Sequence, residues 1–284
     1  MRNKKWVTAL VYVILICVSF VMVYPFLWML SASFKTNADI IQNPLNLLPQ
    51  KWTLDGYRAI KTMSGYSIWH YLKNSIIISA GTTALVVVST AMGGYALYRK
   101  RDLPLFGILE KSFMISMMYP AVLLLIPLYV IVIGSKFLYG TGNYLGIILA
   151  SSTGAWGAAL PFFLFKQFFA SVPYSLVEAS TIDGATERQI FFWVMCPVMK
   201  TVILTATLIS FLTSWGLWIP VLMLSKDMST YTLASMLVNI NSELGVDLSQ
   251  TAALSTVVTL PVVLIFLLTQ RKVMDGIAAG SVKG

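Results

Sequence analysis

The sequence predicts an all-α membrane protein with six transmembrane helices, and three observations predict it. The 284 residues are 57% hydrophobic and only 11% charged, whereas soluble domains run at about 45–50% apolar and about 25% charged residues. The apolar residues gather into six runs near 20 residues long, the length an α-helix needs to cross about 30 Å of hydrocarbon. Lysine and arginine concentrate on alternate sides of those runs, as the positive-inside rule requires. Mean hydropathy is +0.78.

The runs follow in order. The first is "VTALVYVILICVSFVMVYPFLWML" (7–30), preceded by "MRNKK". It is too long for the 7–15-residue apolar region of a signal peptide and no small-x-small cleavage site closes it, so it reads as an uncleaved span with its N-terminus inside. The others cover 72–98, ending at "YRKRD", then 112–133, 143–169, 198–223 and 251–270, the last stopped by "QRK". With both termini inside, Arg2, Lys4, Lys5, Arg99, Lys100, Arg101, Lys111, Lys166, Arg188, Lys200, Arg271, Lys272 and Lys283 fall on the inner side. That is 13 of the 20 basic residues. Lys35, Lys51, Arg58, Lys61, Lys73, Lys136 and Lys226 fall outside, most of them in or beside the long loop 31–71. Basic residues flanking spans therefore account for the net charge of +9, and no nucleic-acid partner is needed. Cys17 and Cys196 lie in separate apolar runs and read as small buried hydrophobes. Ala150, Gly154 and Ala158, at i, i+4 and i+8 of the fourth run, form a small-residue face for close helix packing.

One stretch breaks the pattern. "VEASTIDGATERQ" (177–189) carries Glu178, Asp183, Glu187 and Arg188 between the fourth and fifth spans. Each such charge at the bilayer centre costs about 2.5–3.5 kcal/mol, so the stretch belongs in water or at the interface. Pro173 ends the preceding helix. Ser175 and Glu178 fit a capping box that starts a short helix, Gly184 ends it, and Thr186 with Gln189 fits a second box. A helix of about two turns is unstable alone, so it must dock, with Leu176, Val177 and Ile182 as its apolar side. Its carboxylates resemble a hard-cation site, but no paired histidine accompanies them. A solvated loop and a docking helix for a partner also remain open.

Residues 178–197, "EASTIDGATERQIFFWVMCP", resemble the EAA signature of the membrane subunits of ATP-binding-cassette importers. Glu178, Ala179, Gly184 and Pro197 match that pattern at its spacing; Ser180, Val194 and Cys196 are small or apolar replacements, and Asp183 and Ala185 flank the glycine as expected. "YPFLWMLSASFK", "WTLDGYRAI", "GGYALYRKR" and "QRKVMDGIAAGSVKG" are similar to the carbohydrate-importer branch, relatives of the smaller membrane subunit of the maltose transporter. The resemblance implies a type I importer permease fold. It implies an N-terminal helix and extracytoplasmic loop (1–70), a transmembrane domain (71–270) with a coupling loop at about 170–197, and a cytoplasmic tail (271–284). It further implies a bacterial inner membrane location and Glu178, Ala179, Ser180, Asp183, Gly184, Ala185 and Pro197 as contacts to a cytoplasmic ATPase. Partners would be two such ATPase subunits, a second permease subunit and an extracytoplasmic solute-binding protein, in the lipid bilayer. No cofactor is expected in this chain; ATP and Mg would sit on the ATPase.

The residues agree in two ways. No G-x-x-x-x-G-K-[ST] occurs, so the chain is a transport subunit and not the ATPase. The spans also lack the buried carboxylates and histidines of proton relays. A secondary transporter is the rival reading, since Pro120, Pro127, Pro161 and Pro220 interrupt spans. A membrane enzyme would need more than the lone His70. For cargo, Tyr119, Trp156, Ser214, Trp215 and Trp218 are the aromatic and hydroxyl groups a sugar cavity would use. A sugar or oligosaccharide is the expected solute, with a glycerophosphate-type solute as the alternative. Lys35, Lys51, Arg58 and Lys61 of the outer loop would suit an acidic saccharide, or are simply solvated.

Overall fold

The chain is almost entirely helical in a computed structural model that describes residues 2–100, 103–140, 142–243 and 247–281. Arg101 and Lys283, counted among the inner charges, and residues 282–284 of the expected tail lie outside the described residues. Among the described residues three helices are long and apolar enough to cross a bilayer, and up to six spans result if each of three sharply bent helix pairs counts as one. The chain forms two compact units.

One unit holds residues up to Ile68 together with Met236–Pro261. Its long helix, α1 (Arg2–Ala32), keeps an apolar exposed surface over residues 7–23; Val21 and Ile16 are about two-thirds exposed. Cys17 shares that exposure, so it is not the buried hydrophobe the sequence suggests: the helix presents its apolar side chains outward. Two short helices follow, α2 (Asn37–Gln42) and α3 (Asp55–Ile60). Then comes a two-residue hairpin, β1 (Thr62–Met63) and β2 (Tyr66–Ser67), whose turn at Ser64 and Gly65 has positive φ at both positions. The α2–α3 loop folds back along α1. Tyr24 and Trp28 donate to the carbonyls of Leu45 (3.3 Å) and Pro44 (2.6 Å), and Ser31 and Lys35 reach those of Leu47 and Asn46. Lys35 is thereby fully buried and Arg58 is engaged by Asp55 at 3.1 Å. Neither is a free charge for an acidic solute.

The other unit holds Trp69–Ser235 and the chain from Val262. Its backbone is α4 (Ile68–Lys100), 33 residues and about 50 Å long at 1.5 Å per residue. The next span is a broken pair, α5 (Pro104–Ser116) and α6 (Leu125–Gly134), bent by 115° around Met117–Pro120. It begins eight residues before the 112 read from hydropathy, because Pro104 starts the helix. The following pair, α7 (Leu145–Ser151) and α8 (Ala159–Ser171), is bent by 72°. Ser152 and Thr153 interrupt it, and residues 154–158 wind as a π-helix. Ala150, Gly154 and Ala158 therefore do not share one helix face, contrary to the sequence expectation.

The polar stretch forms α9 (Ser175–Ile182) and a single turn, α10 (Glu187–Gln189), continued by a π-helix over Ile190–Met195 and by α11 (Cys196–Val198). Both π turns precede a proline, Pro161 and Pro197, whose missing N–H removes one regular helical bond. Next come α12 (Lys200–Trp215) and α13 (Ile219–Leu224). The expected fifth span, 198–223, thus ends early: Gly216 caps α12 and Pro220 opens a separate helix. The last helices are α14 (Leu233–Glu243) and α15 (Leu248–Ser281).

Two apolar clusters among the described residues lie in this unit. Ile78, Val132, Ile147, Val221 and Leu224 form one. Tyr95, Phe165, Phe169, Val177, Ile190, Met195 and Met199 form the other, where the end of α4 meets α8 and the polar stretch. Gly94 allows that approach: a Cβ there would stand 3.0 Å from Phe165.

Candidate functional site

The polar stretch folds as its glycine requires. Gly184 has φ +81°, and Ala185 and Gly184 donate to the carbonyls of Ser180 (3.0 Å) and Thr181 (3.1 Å). That is a Schellman ending, in which the left-handed residue is glycine because it has no Cβ to clash. The second capping box forms as expected, with Thr186 and Gln189 bonded reciprocally. The first does not. Tyr174 is already helical and Leu176 donates to the carbonyl of Pro173, so the helix starts too early for Ser175 to cap it.

The expected apolar side of α9 splits in two. Val177 is buried in the core, whereas Ile182 is 86% exposed and Leu176 is also exposed. Glu178, Ala179, Asp183 and Gly184 are exposed as well, Ser180 and Ala185 partly so, and Pro197 lies exposed beyond the π-helix. Trp193, 80% exposed, stands in a shallow cleft with Asp183, Gly184 and Gln189. The stretch therefore offers two exposed carboxylates and two large exposed hydrophobes, Glu178 with Ile182 lining one cleft and Asp183 with Trp193 another.

Glu187 is the part the sequence left unassigned. Its carboxylate accepts from the Tyr95 hydroxyl at 2.9 Å and from Arg99 Nε at 3.2 Å, and a second Arg99 nitrogen binds its other oxygen. Arg99 also lies over the Tyr174 ring, 5.6 Å from its centre. Glu187 is thus a tether from the polar turn to the end of α4. Bidentate arginine–carboxylate pairing gives the contact direction as well as charge. Among the described residues no group of three metal-ligating side chains occurs. Only the charge at 99 within "YRKRD" hinted at the tether; which carboxylate it meets is a matter of folding.

At its other end α4 is held by neutral groups. The fully buried Asn74 amide donates to the carbonyls of Ser229 and Tyr231 and accepts from the Tyr144 hydroxyl, each at 2.8 Å. His70 bonds the same Ser229 carbonyl at 2.7 Å, so the single histidine is structural.

The residues expected to line a solute path are not gathered in one place. Trp156 is buried and borders a cavity of about 210 Å³. Ser214 and Trp215 are buried elsewhere: the Ser214 hydroxyl bonds the Ser210 carbonyl at 2.7 Å and Trp215 stacks on Phe211. Tyr119 and Trp218 are exposed, Tyr119 in the break between α5 and α6. Thr213, one position from Ser214, is the α12 hydroxyl residue at the cavity. A helix turns 100° per residue, so neighbours in sequence face different surroundings.

The family model described as binding-protein-dependent transport system inner membrane component matches residues 89–274, from α4 through the polar turn and into α15. The chain belongs to this family. The permease is 30% identical over 273 residues to the arabinooligosaccharide transport permease AraQ of Halalkalibacterium halodurans, covering 94% of this chain and 93% of the relative. It is 31% identical to the trehalose transport permease SugB of Mycobacterium tuberculosis, with 92% of both covered. Its fold is that of a chain in the crystal structure of a bacterial ABC transporter involved in the import of alginate, at a TM-score of 0.78 over 95% of the permease and 98% of that chain, with 20% identity. The permease is thus an integral membrane component of an ATP-binding-cassette transporter, a transport subunit and not an enzyme. Membership of this family sets aside the secondary-transporter reading.

Proposed function

We propose that the permease forms half of the pathway of a binding-protein-dependent importer for a sugar or oligosaccharide, and that residues 178–197 seat it on a cytoplasmic ATPase. The observation that carries the coupling role is the exposed turn at Gly184, flanked by Ile182, Trp193 and the carboxylates of Glu178 and Asp183. Large exposed hydrophobes beside charges are what a protein partner covers. The Glu187–Arg99 tether supplies the mechanical half: a push on the turn reaches α4 through a bidentate contact and the aromatic core beneath it.

In this reading the turn and both termini are cytoplasmic, the membrane is the bacterial inner membrane, and ATP and Mg sit on two ATPase subunits. A second permease completes the pathway and an extracytoplasmic binding protein delivers the solute. The saccharide class is supported by the substrates for which two relatives are named, arabinooligosaccharides and trehalose. The test is copurification of the permease with its ATPase, followed by crosslinking of Glu178→Cys to cysteines placed along the ATPase groove. A crosslink at one groove position is expected; none across the whole groove overturns the docking assignment. Uptake of neutral saccharides by the reconstituted complex checks the cargo, and uptake of a glycerophosphate alone overturns it.

A further inference from the structure

We propose that residues 41–52, which the sequence places in a loop between spans, dip into the bilayer at the end of α1 and insert Leu45 and Leu48 among the lipids. This anchoring involves neither the solute path nor the polar turn.

The first observation is depth. The apolar part of α1, Val7–Ala32, is 26 residues long, about 39 Å at 1.5 Å per residue against about 30 Å of hydrocarbon. Counted from Val7, the hydrocarbon ends near Phe26 and Trp28 stands among the headgroups. The chain leaves α1 at Ala32, passes through α2 and then turns back. Trp28 Nε1 donates to the carbonyl of Pro44 at 2.6 Å, and the Tyr24 hydroxyl donates to that of Leu45 at 3.3 Å. Tyr24 lies two helical turns before the end of α1, about 12 Å back along its axis. The tip of the loop at Leu45 is therefore level with the tyrosine and tryptophan that mark a membrane interface.

The second observation is the backbone. The successive carbonyls of Pro44, Leu45, Asn46 and Leu47 accept from Trp28, Tyr24, Lys35 and Ser31 in that order. Pro44 and Pro49 have no N–H to satisfy. A loop in water needs no such cover, because solvent bonds its carbonyls; below the interface only the protein can. The shape is also fixed from within. One oxygen of the buried Asp39 carboxylate accepts from the Gln50 N–H at 2.9 Å, and the other from the Asn43 amide at 3.3 Å. Ile40 packs inward with Ala32 and Ala252.

The third observation is what faces out. With its carbonyls turned to α1, the loop exposes Ile41, Leu45, Leu48 and Trp52; Leu45 is 84% and Leu48 72% exposed. At the same level α1 itself exposes Phe26, Leu27 and Leu30, so the apolar surface of a membrane span runs on into the loop. Trp52 stands exposed beside an exposed Lys51, and that pairing of an aromatic with a basic residue suits headgroup level. A patch of this kind marks a protein or a membrane contact. The covered carbonyls and the level of Tyr24 select lipid.

The experiment uses the full chain within its assembled transporter, reconstituted in vesicles of phosphatidylethanolamine and phosphatidylglycerol. Leu45→Cys and Leu48→Cys, each in a chain carrying Cys17→Ala and Cys196→Ala, take a nitroxide label; Lys61→Cys, at an exposed position, is the water reference. Both leucines are exposed, so the label displaces no core. Electron paramagnetic resonance power saturation reads access of the label to oxygen, which concentrates in lipid, and to a water-soluble nickel chelate. Lipids labelled along their acyl chains calibrate the depth. Labels at 45 and 48 are expected to favour oxygen and to sit about 5–10 Å into the boundary of headgroups and acyl chains. Labels that favour the nickel chelate, as at 61, place the loop in water and overturn the proposal. Labels shielded from both agents overturn it too, since a protein then covers the patch.

Discussion

The two ends of α4 are fastened by different chemistry. At the Asn74 end a neutral amide satisfies two carbonyls and one phenol in complete burial. At the Arg99 end a guanidinium grips a carboxylate that is 59% exposed. If the first contact parts, the fully buried Asn74 amide loses its partners, although the Ser229 carbonyl keeps His70; if the second parts, the Glu187 carboxylate, 59% exposed, turns to water. The physics makes the Asn74 end a fixed joint and the Arg99 end one that can be loaded and released. In a transport cycle driven from the polar turn, that is the arrangement a lever needs.

The largest effect tests the fixed joint. Asn74→Leu should cost about 3 kcal/mol, because several buried hydrogen-bonding groups lose their partner at about 1–3 kcal/mol each. The check is thermal unfolding of the detergent-solubilised protein, and an unchanged midpoint would show that the joint is not where the stability lies. Next is the turn. Gly184→Val forces a β-branched residue to φ +81°, costing about 1–2 kcal/mol, and uptake should vanish while the protein remains inserted. Normal uptake by this variant would remove the turn from the coupling path. The smallest stability change is expected at the movable end. Arg99→Ala and Glu187→Gln should each cost about 1–2 kcal/mol, less than Asn74→Leu although the Arg99 side chain is only 17% exposed, but reduce uptake several-fold. The swapped pair Arg99→Glu with Glu187→Arg should recover part of it. Should Arg99→Ala unfold the protein as readily as Asn74→Leu, the contrast between the ends collapses.

The sequence made much of this legible. Apolar run length and basic flanks point to six spans because a bilayer imposes one length and one charge asymmetry on any chain, and among the described residues the structure carries three spanning helices, or up to six spans if each bent pair is one. The Gly184 turn and the Thr186–Gln189 box are visible because each is a short-range bond pattern with a fixed spacing. The Ser175 box looked the same in sequence and failed, since the helix had begun before it. The breaks were half visible: Pro120 and Pro161 mark them, but hydropathy averaged over 20 residues runs straight through a bend.

By itself, then, the sequence determined the class of protein, the order of its apolar segments and the place of its polar turn along the chain, because these depend on composition and local bonding alone. Only the tertiary structure decided that Glu187 belongs to Arg99, 88 residues away, that Asn74 holds the carbonyls of Ser229 and Tyr231, and that two breaks meet at Trp156 while Ser214 and Trp215 turn elsewhere. Such pairings are chosen by which helix faces pack together, and no spacing along the chain encodes that choice.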